Sequence, residues 1–244
     1  MRSKLSLRGV KEAGFSLIEI LVVIGIIAVL AGLLLPTFQG AKESGKGIQC
    51  LGNHKQVNLA FRLHYQDNDD IFIQWAAKGA TTNAILPDPS VTYWPDLLLP
   101  YAGSKRVYNC PKRAGLTDKF GIGINFPNIG TFSDEQASWP NIVRESMVNK
   151  PSATVVFGDD QDVDNPHEPD PDQWVRKKTK SPYCIVFRTP IDQPMYVIDP
   201  YRIVMRHKGK AVVSFLDGHA ELLKTSMVGL QYPKGHELAL WDRQ

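Results

Sequence analysis

Three groups of side chains have types and spacings that could do chemistry. In DDQDVDNPHEPDPD (159–172), Asp160, Asp162 and Asp164 alternate as the first ligands of a calcium loop do. Hard cations favour such oxygen clusters, which makes these three the candidate metal ligands and Ca2+ the candidate cofactor. Asn165 stands where a calcium loop needs its turn glycine, Pro166 follows, and no bidentate Glu closes the run, so a solvated acidic loop is the competing reading. The second group is His207, followed after nine residues by Asp217, Gly218 and then His219; with Asp159 these could build a hydrolytic or metal site. The third group is the cysteines. Cys50 and Cys110 are the candidate disulfide, while Cys184 sits in an apolar run and reads as a buried thiol. His54 and His64, ten residues apart, do not share a helical face, and each reads as a helix-surface or partly packed residue. The chain contains no G-x-S-x-G, no H-E-x-x-H and no phosphate loop, so it is not read as an enzyme.

The elements that must position these groups follow from periodicity. Cys50, His54, Val57, Phe61 and Tyr65 recur at steps of four, three, four and four, which predicts an amphipathic helix within 42–70. Gly40, Gly45, Gly47 and Gly52 each cost about 1 kcal/mol in a helix interior, and they predict a break between residues 36 and 48. Residues 71–150 read as loop-rich. YWPDLLLPY (93–101) reads as a short helix or turn docking on the core, with Pro95 suited to a first helical turn, SKRVYNCP as a short strand into a turn, and FGIGINFPNIG as a structural glycine-rich segment. The C-terminal third carries short β-rich runs at 152–159, 183–189, 201–207, 211–217 and 219–224, bounded by Gly, Pro and Asp. Asp217-Gly218 is a favoured hairpin pair, so 201–224 predicts a three-stranded antiparallel meander. In that meander the strand 211–216, about 20 Å long, separates His207 from Asp217, which favours two turns and a strand over one catalytic site.

Charge places the rest. Residues 1–14 carry Arg2, Lys4, Arg8 and Lys11 against Glu12, and so hold the whole net charge of +3. The remainder is neutral, and no basic face argues for nucleic acid. From Ile20 to Ala41 there is no ionisable side chain, enough helix for about 33 Å of bilayer. The positive-inside rule puts the N-terminus in the cytoplasm and the bulk of the chain outside, where a Cys50–Cys110 disulfide would persist. Glu19 enters this apolar run with no basic residue beside it.

KEAG-FSLIE closely resembles the leader junction of type IV pilins and type II secretion pseudopilins. The resemblance implies cleavage between Gly14 and Phe15 by a prepilin peptidase, N-methylation of Phe15, and Glu19 as the fifth residue of the mature chain. Pro36 matches a proline common in that family. His207, Asp217 and Gly218 resemble the H-X9-DG signature of a large group of prepilin-type proteins, as do CLGNHKQ, LLLPY with NCP, and NKPSATVVFGD. That group usually has Leu where His54 stands. The implied fold is α+β and pilin-like, with an N-terminal hydrophobic transmembrane helix packed onto an antiparallel β-sheet domain. The implied organisation is a leader over 1–14, a transmembrane and filament-core helix over 15–41, an amphipathic helix over 42–70, and an extracytoplasmic domain over 71–244. Some pseudopilins bind calcium in a loop, which bears on Asp160, Asp162 and Asp164.

The implied function is a pilus or pseudopilus subunit, single-pass in the inner membrane before assembly. Its implied partners are the peptidase/methyltransferase, other pilin-like subunits and an inner-membrane assembly platform. The amine created at Phe15 is largely protonated near neutral pH, and a neighbouring subunit's amine could pair with Glu19 and set the register. Gly25 and Gly32 would let neighbouring helices approach closely. Two rivals stand beside it. One is a membrane-anchored extracytoplasmic binding module using loops 78–150 and 160–182 on a pilin-like stem. The other is a hydrolase around Asp159, His207 and Asp217.

Overall fold

The computed structural model describes residues 16–79, 91–113, 120–130, 142–177, 184–191 and 195–243. They fall into two compact units, one ending at Lys42 and one running from Glu43 to Gln244.

Helix α1 spans Leu17–Gln66. Every large apolar side chain from Leu17 to Phe38 is exposed on it, and the helix is long and apolar enough to cross a membrane. Hydrocarbon solvates such a surface where water would not. The break expected between residues 36 and 48 is absent: the helix continues through Pro36 and all four glycines. Glycine costs are local and small, and favourable turns on either side carry a cooperative helix across them. Beyond Lys42 the helix buries Gly47, Cys50, His54, Val57, Asn58, Ala60, Phe61 and Tyr65, which is the stripe the spacing predicts.

That stripe packs within the second unit. A two-stranded antiparallel sheet pairs β1 (Ala76–Lys78) with β2 (Val91–Tyr93). The main sheet contains β3 (Ile122–Phe126), β4 (Val155–Asp162), β5 (Val186–Arg188), β6 (Tyr201–Ile203), β7 (Ala211–Phe215) and β8 (Ala220–Leu223). Its order is β5-β3-β4-β7-β8, with β6 also paired to β4; every pairing is antiparallel except β3 with β5. The fold is therefore α+β.

Two large cores pack on the sheet, beside a small cluster of Cys50, Cys110 and Val212. One gathers Phe61, Tyr65, Phe72, Trp94, Tyr108 and Phe157, with the Phe61 and Phe157 rings edge-on at 5.5 Å. Helix α2 (Trp94–Ala102) starts with Pro95 in its first turn, as predicted, and ends at Gly103, whose N–H donates to the Leu99 carbonyl. The Trp94 indole donates to the Ile185 carbonyl at 2.6 Å, which binds α2 to the lead-in of β5. The second core holds Val155, Phe187, Ile203, Val213, Phe215 and Trp241.

Two local expectations need correction. Lys105–Tyr108 is a 3-10 turn and not a strand; the Ser104 hydroxyl accepts the Arg106 N–H and so caps it. Residues 201–224 are not a meander. β7 and β8 form the expected hairpin around Asp217-Gly218, but β6 pairs with β4 and not with β7. β6 and β7 lie one after the other along one side of β4. Residues 204–210 leave that line in an excursion whose tip is a tight turn, with positive φ at Lys208 (51°) and Gly209 (73°). The excursion is held by the Lys208 ammonium donating to the Ser44 hydroxyl at 2.7 Å. Local turn signals are indifferent to which strand accepts the next ladder, and β4 extends past the positions that β7 fills, leaving Asp160, Gln161 and Asp162 to pair with β6.

Candidate functional site

Two places in the chain concentrate chemistry. The first is the start of α1. Gly14 and Phe15, the expected cleavage and methylation positions, lie outside the described residues. Glu19 is described, and it has a partner within its own chain: its carboxylate accepts the Ser16 N–H at 2.8 Å. The Ser16 hydroxyl lies 3.4 Å from the Ile18 N–H, a long, weak cap contact on a second amide of the first turn. Ser-x-x-Glu is a capping box, and a negative charge in the first turn also suits the helix dipole. The S-L-I-E spacing carries this signal in the sequence, where the resemblance points Glu19 to intermolecular pairing instead.

The second place lies at the centre of the Glu43–Gln244 unit. Asp159, in β4, is wholly buried. Its Oδ1 accepts from Arg206 Nη1 at 3.1 Å and lies 3.4 Å from Cys50 Sγ and 3.6 Å from His54 Nε2. Its Oδ2 accepts the Val212 N–H at 2.8 Å and lies 3.5 Å from His207 Nε2. Cys110 Sγ lies 3.5 Å from the same His207 nitrogen. The Arg206 guanidinium also donates to the Gly121 carbonyl at 2.6 Å and to the Asp160 carbonyl.

Each group arrives from a different element for a local reason. Cys50 and His54 share one face of α1 because they are four residues apart. Cys110 follows Asn109, which forms a β-bridge with Phe120. Arg206 and His207 are delivered by the excursion after β6. Gly121 makes room: a Cβ there would lie 2.9 Å from the Cys110 Cβ and 3.1 Å from the Arg206 guanidinium. The glycine-rich FGIGINF segment is therefore structural, as its lack of a phosphate-loop context predicts.

Burial by itself would raise the Asp159 pKa. The His54 contact and the Arg206 charge, helped by His207, reverse that and hold it at about 2. The His54 separation of 3.6 Å is too long for a well-made hydrogen bond but close enough for charge attraction. The two thiols are driven apart. Cys110 goes down through the Cys50 hydrogen bond, against burial and with help from His207 and Arg206, while Cys50 goes up through its bond to Cys110 and through burial. They are free cysteines, brought together as the disulfide expectation requires but unbridged.

The other expected site residues fall elsewhere. His207 and Asp217 stand at opposite ends of β7, as the strand length predicts. Asp217 instead pairs with His219 at 2.6 Å on the surface. Asp160 and Asp162 are strand residues in β4 and not part of a loop; both are buried, whereas Asp164 is exposed. Neither Asp160 carboxylate oxygen has a hydrogen-bond partner among the described residues, and burial raises its pKa well above the ordinary range. Asp162 Oδ1 accepts from the Cys184 thiol at 3.6 Å, and burial pushes that thiol up to about 12. His54 is wholly buried and not at the helix surface.

The arrangement around His207 is not that of a catalytic triad. In a catalytic triad the carboxylate holds the imidazole nitrogen that the nucleophile does not use. Here Asp159 and Cys110 both face Nε2 of His207, Nδ1 has no hydrogen-bond partner among the described residues, and all three residues are at most 4% exposed.

The prokaryotic N-terminal methylation motif, as a family model, matches residues 10–35, which include the Gly14–Phe15 junction, Glu19 and most of the exposed apolar part of α1. No curated protein and no solved structure matches the chain.

Proposed function

We propose that this chain is a prepilin-type filament subunit, cut between Gly14 and Phe15, methylated on Phe15 and assembled into a type II secretion pseudopilus or a type IV pilus-like fibre. The observation that carries the reading is the methylation motif over residues 10–35, lying on a helix whose apolar side chains are exposed from Leu17 to Phe38. A membrane solvates that surface before assembly, and the helices of neighbouring subunits cover it afterwards. The N-terminus is cytoplasmic, in keeping with the four basic residues of 1–14. The protein's work is mechanical: polymerisation moves cargo or displays a surface. Its partners are the prepilin peptidase/methyltransferase, other pilin-like subunits and the inner-membrane assembly platform. Mass spectrometry of the native N-terminus tests this. A mature chain beginning at N-methyl-Phe15 is expected; an intact Met1 or a cut after Pro36 would overturn it.

A second reading, a binding module on the same stem, has one observation in its favour. An open cleft of about 510 Å3 is lined by Pro166, Trp174, Tyr196, Tyr232 and Pro233. Its flat apolar rings suit an extended ligand that stacks, such as a glycan. Retention of the full chain on immobilised glycans, lost in Trp174→Ala, would support that reading.

A further inference from the structure

Among the described residues, one group of side chains brings together four metal-ligating atoms of mixed softness. Cys50 Sγ, Cys110 Sγ, one Asp159 oxygen and one His207 nitrogen all lie within 4.8 Å of one another, and all four residues are buried. Cys50 Sγ lies 3.4 Å from Asp159 Oδ1, while His207 Nε2 lies 3.5 Å from Asp159 Oδ2 and 3.5 Å from Cys110 Sγ. A tetrahedral zinc with bonds of about 2.0–2.3 Å has ligand-to-ligand edges of roughly 3.3–3.8 Å. The donors already stand close to that spacing, on four separate segments.

Charge and support point the same way. With both thiols ionised the pocket holds three anions, Cys50, Cys110 and Asp159, against the Arg206 guanidinium that touches Asp159. A divalent ion brings the sum to zero, whereas an uncompensated buried charge is strongly unfavourable. The Val212 amide and the Arg206 guanidinium fix the two Asp159 oxygens, as outer partners do for metal-bound carboxylates. His54 is an independent observation: it is wholly buried, neither ring nitrogen has a hydrogen-bond partner among the described residues, and Nε2 is aimed at Asp159 Oδ1.

We propose that Cys50, Cys110, Asp159 and His207 form a structural site for a zinc-class divalent ion that ties α1 to the sheet. Two thiolates and an imidazole select zinc over calcium or magnesium, which take oxygen donors. Four protein ligands and full burial leave no open coordination position, so the ion holds the fold and does not turn over substrate. This proposal is independent of the filament reading.

The test uses the full chain in detergent, reduced, stripped with a chelator and then given zinc alone. One zinc per chain by elemental analysis is expected, with a higher Tm in zinc than in chelator. Cobalt in its place should give the strong visible absorption of a tetrahedral thiolate site. Cys110→Ser should weaken zinc binding at least about tenfold, and His236→Ala should leave it unchanged. If Cys110→Ser fails to fold, the wild-type metal content and cobalt spectrum still decide. Reduced wild-type chain that takes up no zinc, binding that survives Cys110→Ser, or a Cys50–Cys110 disulfide whose reduction restores no metal affinity would each overturn the proposal.

Discussion

The Asp159 carboxylate and the Arg206 guanidinium meet at 3.1 Å with both side chains fully shut off from solvent. This ion pair joins the middle of β4 to the excursion after β6, and the guanidinium also satisfies the carbonyls of Gly121 and Asp160. Removing one partner leaves the other charged in a medium that does not solvate it. Asp159→Asn and Arg206→Met should each cost about 3–5 kcal/mol in urea unfolding of the metal-free chain. A loss below about 1 kcal/mol would mean that water reaches the pair.

Gly229 and Gly235 offer a matched comparison. Both have positive φ, 80° and 89°. A Cβ at Gly229 would stand 1.9 Å from the Leu238 carbonyl oxygen, whereas at Gly235 it would meet nothing within 4 Å. Gly235→Ala should therefore cost only the left-handed backbone penalty of about 1–2 kcal/mol. Gly229→Ala should cost clearly more, because the Gly229 carbonyl also accepts the buried Trp241 indole N–H at 2.9 Å. Equal losses for the two variants would contradict the steric account.

Glu19 carries two separable roles. Its carboxylate caps α1 through the Ser16 N–H, and in the proposed filament its charge would be available to the amine that the proposed cleavage creates at Phe15. Glu19→Gln keeps an acceptor for the cap but removes the charge. Processing of Glu19→Gln should continue while filament assembly fails, as scored by N-terminal mass and by sheared-fibre yield. Normal assembly of this variant would rule out charge pairing as the register device.

His64 packs against the Tyr101 ring at 5.6 Å, and burial lowers its pKa from the ordinary 6.5, partly offset by Asp67. The folded chain therefore binds this proton less readily than the unfolded one. The stabilising contribution is present above pH 6.5 and is lost as pH falls from there through the lowered folded value. An NMR titration should find the His64 midpoint below 6.5, and His64→Gln should flatten the stability profile in that window. A midpoint at or above the ordinary value would show that Asp67 outweighs burial.

Features written in short spans of residues were readable without coordinates. The apolar run after Gly14, the buried stripe of Cys50, His54, Val57, Phe61 and Tyr65, the Pro95 helix start and the Asp217-Gly218 hairpin each depend on neighbours within a few residues. Periodicity and turn chemistry act over that range. Only the tertiary structure decided that β6 would pair with β4, which swings Arg206 and His207 onto Asp159. It alone brought Cys50 to within 3.4 Å of a carboxylate 109 residues away. The Cys50–His54 spacing set one proposed ligand, Cys50, and a neighbour of Asp159, His54, on one buried face. The rest of the site depends on which strand completes a ladder, a choice made by burial of the whole sheet and by no local run of residues.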